Sequence, residues 1–122
     1  MLGHDLLVDL LLHLGANIEL VDEDGWPLLH RAAKHGHLNV CRVLISRGAD
    51  LHARGNGLLP LHVAAQSGHA HVLEYFLDID PLVNIDEEDA NGTNALYTAT
   101  IHGHLEVVTL LLSRGANVNG TD

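Results

Sequence analysis

Apolar doublets recur four residues apart in four stretches of the chain: Leu7-Val8 with Leu11-Leu12, Val40-Cys41 with Leu44-Ile45, Val72-Leu73 with Phe76-Leu77, and Val107-Val108 with Leu111-Leu112. A step of four returns to the same side of an α-helix, so each stretch predicts a helix with one wide buried stripe. The stretches share their punctuation. "GHDLLVDLLLHLGAN" (3–17), "GHLNVCRVLISRGAD" (36–50), "GHAHVLEYFLDIDPL" (68–82) and "GHLEVVTLLLSRGAN" (103–117) align without gaps. Each opens on Gly-His, at His4, His37, His69 and His104, and meets a second landmark twelve residues later, at Gly15, Gly48, Asp80 and Gly115. The Gly-Ala-Asx endings are helix stops, and Gly36, Gly68 and Gly103 allow a tight turn ahead of each helix.

A second block stands upstream of the last three stretches: "GWPLLHRAA" (25–33), "GLLPLHVAA" (57–65) and "GTNALYTAT" (92–100). The pattern predicts helices at roughly 4–13, 27–35, 37–46, 59–67, 69–78, 95–102 and 104–113, with hairpin loops around 17–25, 50–57 and 84–92. No single unit buries its stripe alone, so neighbours must stack to supply a core.

The step from His30 to His62 is 32 residues and from His62 to Tyr97 it is 35, which brackets the period of about 33 typical of ankyrin repeats. With "PLH" at 60–62, "AA" at 32–33 and 64–65, four "GH" pairs and three "GAD" or "GAN" endings, the chain resembles the ankyrin family over essentially its whole length. The resemblance implies an all-α solenoid of antiparallel helix pairs with projecting β-hairpin loops. It would comprise a half repeat (1–21) and three repeats at about 22–54, 55–86 and 87–119.

The match has departures. The family usually starts its first helix with Thr-Pro, but the cap position here holds Pro27, Leu59 and Asn94, so only the third repeat keeps a side-chain cap acceptor. Weaker helix starts are expected in the first two. Neither end shows a polar substitute for the apolar stripe, which points to an excerpt of a longer array, and makes end-to-end association plausible. The pattern leaves the oligomeric state open.

Composition narrows the function. Aromatics are 3% of the 122 residues, so the core must be thin layers of Leu, Val, Ala and Ile. Net charge is −10 with neutral histidines, which disfavours nucleic acid and anionic membranes as partners. The longest nearly apolar run, Leu6 to Leu14, is far short of the ~20 residues that span a bilayer. Cys41 is the only cysteine, consistent with an intracellular setting, cytoplasmic or nuclear.

Eleven histidines invite a metal reading. The resemblance gives His4, His30, His37, His62, His69 and His104 structural roles, tying helices to loops. Equivalent histidines in neighbouring repeats stand about one helix spacing apart, ~8–10 Å, too far to close on a zinc ion with ligands at ~2.0–2.1 Å. Metal and cofactor are therefore expected to be absent. Catalytic residues are likewise not expected: Cys41 falls within a buried stripe, Ser46, Ser67 and Ser113 lack an evident base, and no phosphate-binding loop is present.

What remains is binding of a protein. The resemblance places partner contacts on hairpin tips and inner helices: Glu23, Trp26, Arg31, Lys34 and His35, then Asn56, Leu58, Val63, Gln66 and Ser67, then Asn91, Thr93, Thr98, Ile101 and His102. Trp26 and Leu58 would offer an apolar anchor point, and Asp86, Glu87, Glu88 and Asp89 a patch that steers a basic partner. The expected function is a non-catalytic interaction module. Two alternatives stay open: a regulatory or substrate-recruiting segment of a larger enzyme or channel, and a histidine-rich metal-binding module. The last is tested by thermal unfolding with and without a strong chelator. The midpoint should not move, whereas a marked drop would establish a structural metal.

Overall fold

A computed structural model describes residues 26–80 and 82–117. The helix expected at 4–13, the loop at 17–25, and His4, Gly15 and Glu23 lie outside the described residues. Within them stand six helices: α1 (Leu28–His35), α2 (Leu38–Ser46), α3 (Pro60–Ser67), α4 (Ala70–Ile79), α5 (Ala95–Ile101) and α6 (Leu105–Ser113). They form three helix pairs, each an inner helix, a tight turn and an outer helix. The turns after α1 and α3 are made by Gly36 and Gly68 in the left-handed region, at φ 73° and 79°.

Stacking follows from side-chain size. Ala32, Ala33, Ala64, Ala65 and Ala99 on the inner helices are essentially buried, so backbones approach closely there. Neighbouring inner helices consequently share a larger contact than neighbouring outer helices do. The stripes of the outer helices point into the same layers: Cys41, Leu44, Val72, Leu73, Phe76, Val107 and Leu111 are at most 2% exposed. Burial pushes the Cys41 thiol up to about 12, so it is an uncharged core group.

The loops close more tightly than paired strands. Among the described residues they carry single antiparallel bridges, Gly55 with Leu58 and Glu88 with Asn94. Asn56 (φ 54°) and Gly57 (φ 81°) both take positive φ, the two-residue hairpin geometry that Asn-Gly favours. The hairpin cannot lengthen because α3 begins two residues after Leu58. Gly57 is also required sterically: its carbonyl accepts from Ala90 N–H at 3.1 Å, and a Cβ at 57 would lie 2.3 Å from that of Ala90. Adjacent loop tips thus touch backbone to backbone.

Imidazoles join one repeat to the next in both directions. The His30 Nε2–H donates to Leu58 O (2.7 Å) and the His62 Nε2–H donates to Glu87 O (2.7 Å), each reaching forward to the following loop. Reaching backward, His69 Nε2–H donates to Lys34 O (3.0 Å) and His104 Nε2–H to Gln66 O (2.9 Å). The backward rings lie flat on the turn glycines. A Cβ on Gly36 would come within 2.7 Å of His69, and one on Gly68 within 2.6 Å of His104.

The cap departures have structural consequences. Asn94 Oδ1 accepts from Tyr97 N–H at 2.8 Å, a side-chain cap for α5, while Pro27 and Leu59 provide none. In α3 the deficit is offset because Leu59 N–H donates to His62 Nδ1 at 3.0 Å. Pro27 stands at the matching place in the first repeat and has no N–H to give. Among the described residues His30 Nδ1 is buried without a partner as a result. Thr100 stands where Ala33 and Ala65 are fully buried, yet it is exposed, with its hydroxyl donating to Leu96 O.

Replacing Pro27 with Thr should restore a donor for His30 Nδ1 and a side-chain cap for α1. Relief of an unsatisfied buried acceptor is worth about 1–3 kcal/mol, and loss of the proline constraint returns about 0.4–1 kcal/mol, so the unfolding midpoint should rise. Acid acts on the same rings. Burial holds the pKa values of His30 and His62 below their ordinary 6.5. Below pH 6.5 the unfolded chain therefore takes up more protons than the folded one. Stability is present in full above that pH and is lost as pH falls through the depressed folded values. Melting curves from about pH 7.5 down to about pH 5 should show this fall, and His62→Gln should make it shallower.

Candidate functional site

Between the second and third repeats the inner helices and loop tips enclose a groove of about 280 Å³. Its walls gather Asn56, Leu58, Gln66, Asn91, Thr93, Thr98, Ile101 and His102 from the expected contact set. Three local features put them there. The αL backbone of Asn56 carries that residue to the loop tip. Asp89 Oδ1 accepts from Asn91 N–H (2.8 Å) and Thr93 N–H (3.0 Å), which folds the neighbouring loop over itself. The step of three and four along α5 aligns Tyr97, Thr98 and Ile101 on the groove side.

The groove has apolar surface to offer. Ile101 is 61% exposed and Tyr97 57%, while Leu58 is half-buried beside them. Tyr97 escapes the sequence reading because it aligns with His30 and His62, whose rings point back into the stack. Only the change of residue type at that place hinted at a different job. Polar groups surround the apolar ones: Gln66 and Asn91 are exposed, and His102 Nδ1–H donates to Thr98 O at 2.9 Å along its own helix.

Other expected contact residues fall elsewhere. Val63 is 1% exposed and is removed from the contact set. Its counterparts Arg31 and Thr98 are only half-buried. Ser67 is half-buried outside the groove. Arg31 and His35 line a separate hollow of about 300 Å³ with Leu28, His37, Val40 and Leu44. Partial burial, then the charges of Arg31, His37 and Lys34, hold His35 below its ordinary pKa.

Trp26, expected as part of an apolar anchor point, also serves the core. Its half-buried ring packs against the core and meets His30 edge-on at 6.1 Å. The Arg31 guanidinium lies 5.2 Å and the Lys34 ammonium 5.6 Å from its centre, within cation–π range. The ring is shared between core and surface.

The acidic run is tied into the structure more than its charge implies. Glu87 takes an Arg54 ion pair at 3.0 Å, Asp86 Oδ1 accepts from Asn117 N–H at 2.9 Å, and Asp89 organises its own loop. Glu88 is the most exposed of the four. Earlier in the chain, Asp80 replaces the usual glycine and is buried, accepting from Leu82 N–H at 3.0 Å and facing His52 Nε2 at 3.0 Å.

Histidine pairs do sit close. His35 stacks on His37 and His102 on His104, both with ring centres 6.0 Å apart. His71 Nε2–H, however, donates to Gly36 O at 3.2 Å, and the rings of His69 and His104 are spent on carbonyls. Among the described residues no group of three His, Cys, Asp or Glu side chains is arranged to hold a metal ion. No helix among them is long and apolar enough to cross a membrane.

Two family models cover the chain: one described as "Ankyrin repeats (3 copies)" matches residues 48–122, and one described as "Ankyrin repeats (many copies)" matches residues 1–45. Among similar proteins, the NF-kappa-B inhibitor cactus of Drosophila yakuba is 32% identical over 105 residues, covering 84% of this chain and 22% of that protein. Cactus of Drosophila melanogaster is equally similar, with 21% of its length covered. The probable E3 ubiquitin-protein ligase XBOS32 of Oryza sativa subsp. japonica is 31% identical over 146 residues, covering 95% of this chain and 29% of that protein. The chain thus spans less than a third of the length of these relatives. The helix pairs, turn glycines and family matches agree: the chain belongs to the ankyrin repeat family.

Proposed function

We propose that the chain is a non-catalytic, intracellular protein-interaction module that holds a partner in the groove between its second and third repeats. One observation carries this reading: Tyr97 and Ile101 are more than half exposed on one short helix, facing Leu58 across a preformed concavity. Exposed apolar groups within a concave, polar-rimmed surface are what a partner's anchor side chain buries. The groove is built on helices locked by buried rungs, so little ordering entropy opposes binding. The partner best suited is a protein segment with an apolar anchor over Leu58, Tyr97 and Ile101. A basic group beside it would face Asp89 and Glu88.

A second reading is favoured by the relatives. They are much longer than this chain, one named an inhibitor and another a probable ubiquitin ligase. The module would then recruit or regulate on behalf of a larger protein, using the same groove.

Partners captured by proximity labelling supply the ligand for the test. Tyr97→Ala and Ile101→Ala should each weaken binding about tenfold, the scale of an interface hot spot at about 1–2 kcal/mol, with little change in melting temperature because both side chains are exposed. Trp26→Ala should instead lower the melting temperature. Unchanged affinity in both groove variants would move the binding surface elsewhere.

A further inference from the structure

A further concavity lies on the outer-helix side, sharing no lining residue with the groove or with the hollow beside Arg31 and His35. It is an open trough of about 520 Å³ between α4 and α6, walled by Ala70, His71, Glu74, Leu105, Thr109 and Leu110, with Glu106 at its rim. Leu105 is 76% exposed at its edge.

The repeats supply an internal comparison. The same register between α2 and α4 holds Leu38 where the trough has Ala70, Arg42 where it has Glu74, and Tyr75 where it has Leu110. There, Leu38 is half-buried and packed on the core, the Arg42 guanidinium sits 5.2 Å from the centre of the Tyr75 ring, and His71 reaches across to Gly36 O. The first seam thus holds a core-packed apolar side chain and, one turn later, is crossed by a cation on an aromatic ring. In the second seam the order is reversed, with Ala70 in place of Leu38 and Leu105 in place of Ala70, and Leu105 is 76% exposed where Leu38 packs on the core. In place of the cation the second seam has a carboxylate, with a second carboxylate at Glu106. Arg114 lies further along the seam, bonded to Asp78 and 4.0 Å from Glu74, and does not line the trough.

We propose that this trough docks a helical segment of a partner protein carrying a large apolar residue and, four residues later, an arginine or lysine, the two groups that Leu38 and Arg42 supply in the first seam. The apolar residue seats over Ala70 against Leu105 and Leu110, and the cation lies between Glu74 and Glu106. This surface is independent of the groove and admits a second contact to the same or another partner.

The probe is a stapled helical peptide with Leu and Arg at i and i+4, titrated into the ¹⁵N-labelled chain. Saturable amide shifts should concentrate at residues 70–74 and 105–110. Ala70→Leu, which fills the trough as Leu38 fills its counterpart, should weaken binding about tenfold or more, as should Glu74→Lys, and a peptide with Glu in place of Arg should not bind. Shifts centred on 56–66 and 97–102 would place the peptide in the groove and overturn the proposal, as would equal affinity for the Ala70→Leu chain. Concentration-dependent shifts at 70–74 and 105–110 without peptide would overturn it too, by making a second copy the occupant. Groove variants leave this readout untouched, so failure here is separable from failure of the proposed function.

Discussion

An imidazole ring donating to the backbone carbonyl of a neighbouring repeat is the interaction on which the rest of this structure depends. Each helix pair has a flat, largely alanine-lined inner seam that tolerates sliding, because small side chains interlock poorly. A hydrogen bond from a buried ring to one particular carbonyl does not tolerate it. His62 shows the arrangement complete, with Nδ1 accepting from the Leu59 N–H at the helix start and Nε2–H donating to Glu87 O in the next loop. One side chain therefore caps its own helix and sets the register of its neighbour, and its two ring nitrogens fix the tautomer by what they face.

That arrangement explains why turn glycines and loop glycines matter differently. Gly36 and Gly68 are needed for their left-handed φ and because the rings of His69 and His104 lie where a side chain would start. Gly57 is needed because the following loop touches its backbone. Register fixed by the rungs makes both approaches close. The same rungs hold the loop tips relative to the inner helices, which keeps the groove open without a ligand.

The two surfaces differ in what made them. The groove combines regularity with one exchange: loop tips and inner helices repeat, while Tyr97, standing where His30 and His62 are buried, is exposed on α5 toward Leu58. The outer trough arises from irregularity, since one alanine and one glutamate stand where the preceding seam has leucine and arginine. An array whose helices are laid down by a common pattern acquires distinct surfaces through such single exchanges, at little risk to the core.

Helix pairs, their turns and their approximate limits were legible in the chain, because a step of four apolar positions bounded by Gly-His and Gly-Ala-Asx admits few other folds. The cap at Asn94 and its absence at Pro27 and Leu59 were legible too, since capping is local chemistry. Exposure was not. Arg31, Val63 and Thr98 occupy one register position, yet Val63 alone is buried, in the middle one of the three described repeats. Tyr97 reads as a rung by alignment and stands in the open groove. Thr100 reads as interior and faces outward. Periodicity states which side of a helix a residue occupies; only the stacked repeats decide what, if anything, lies against that side.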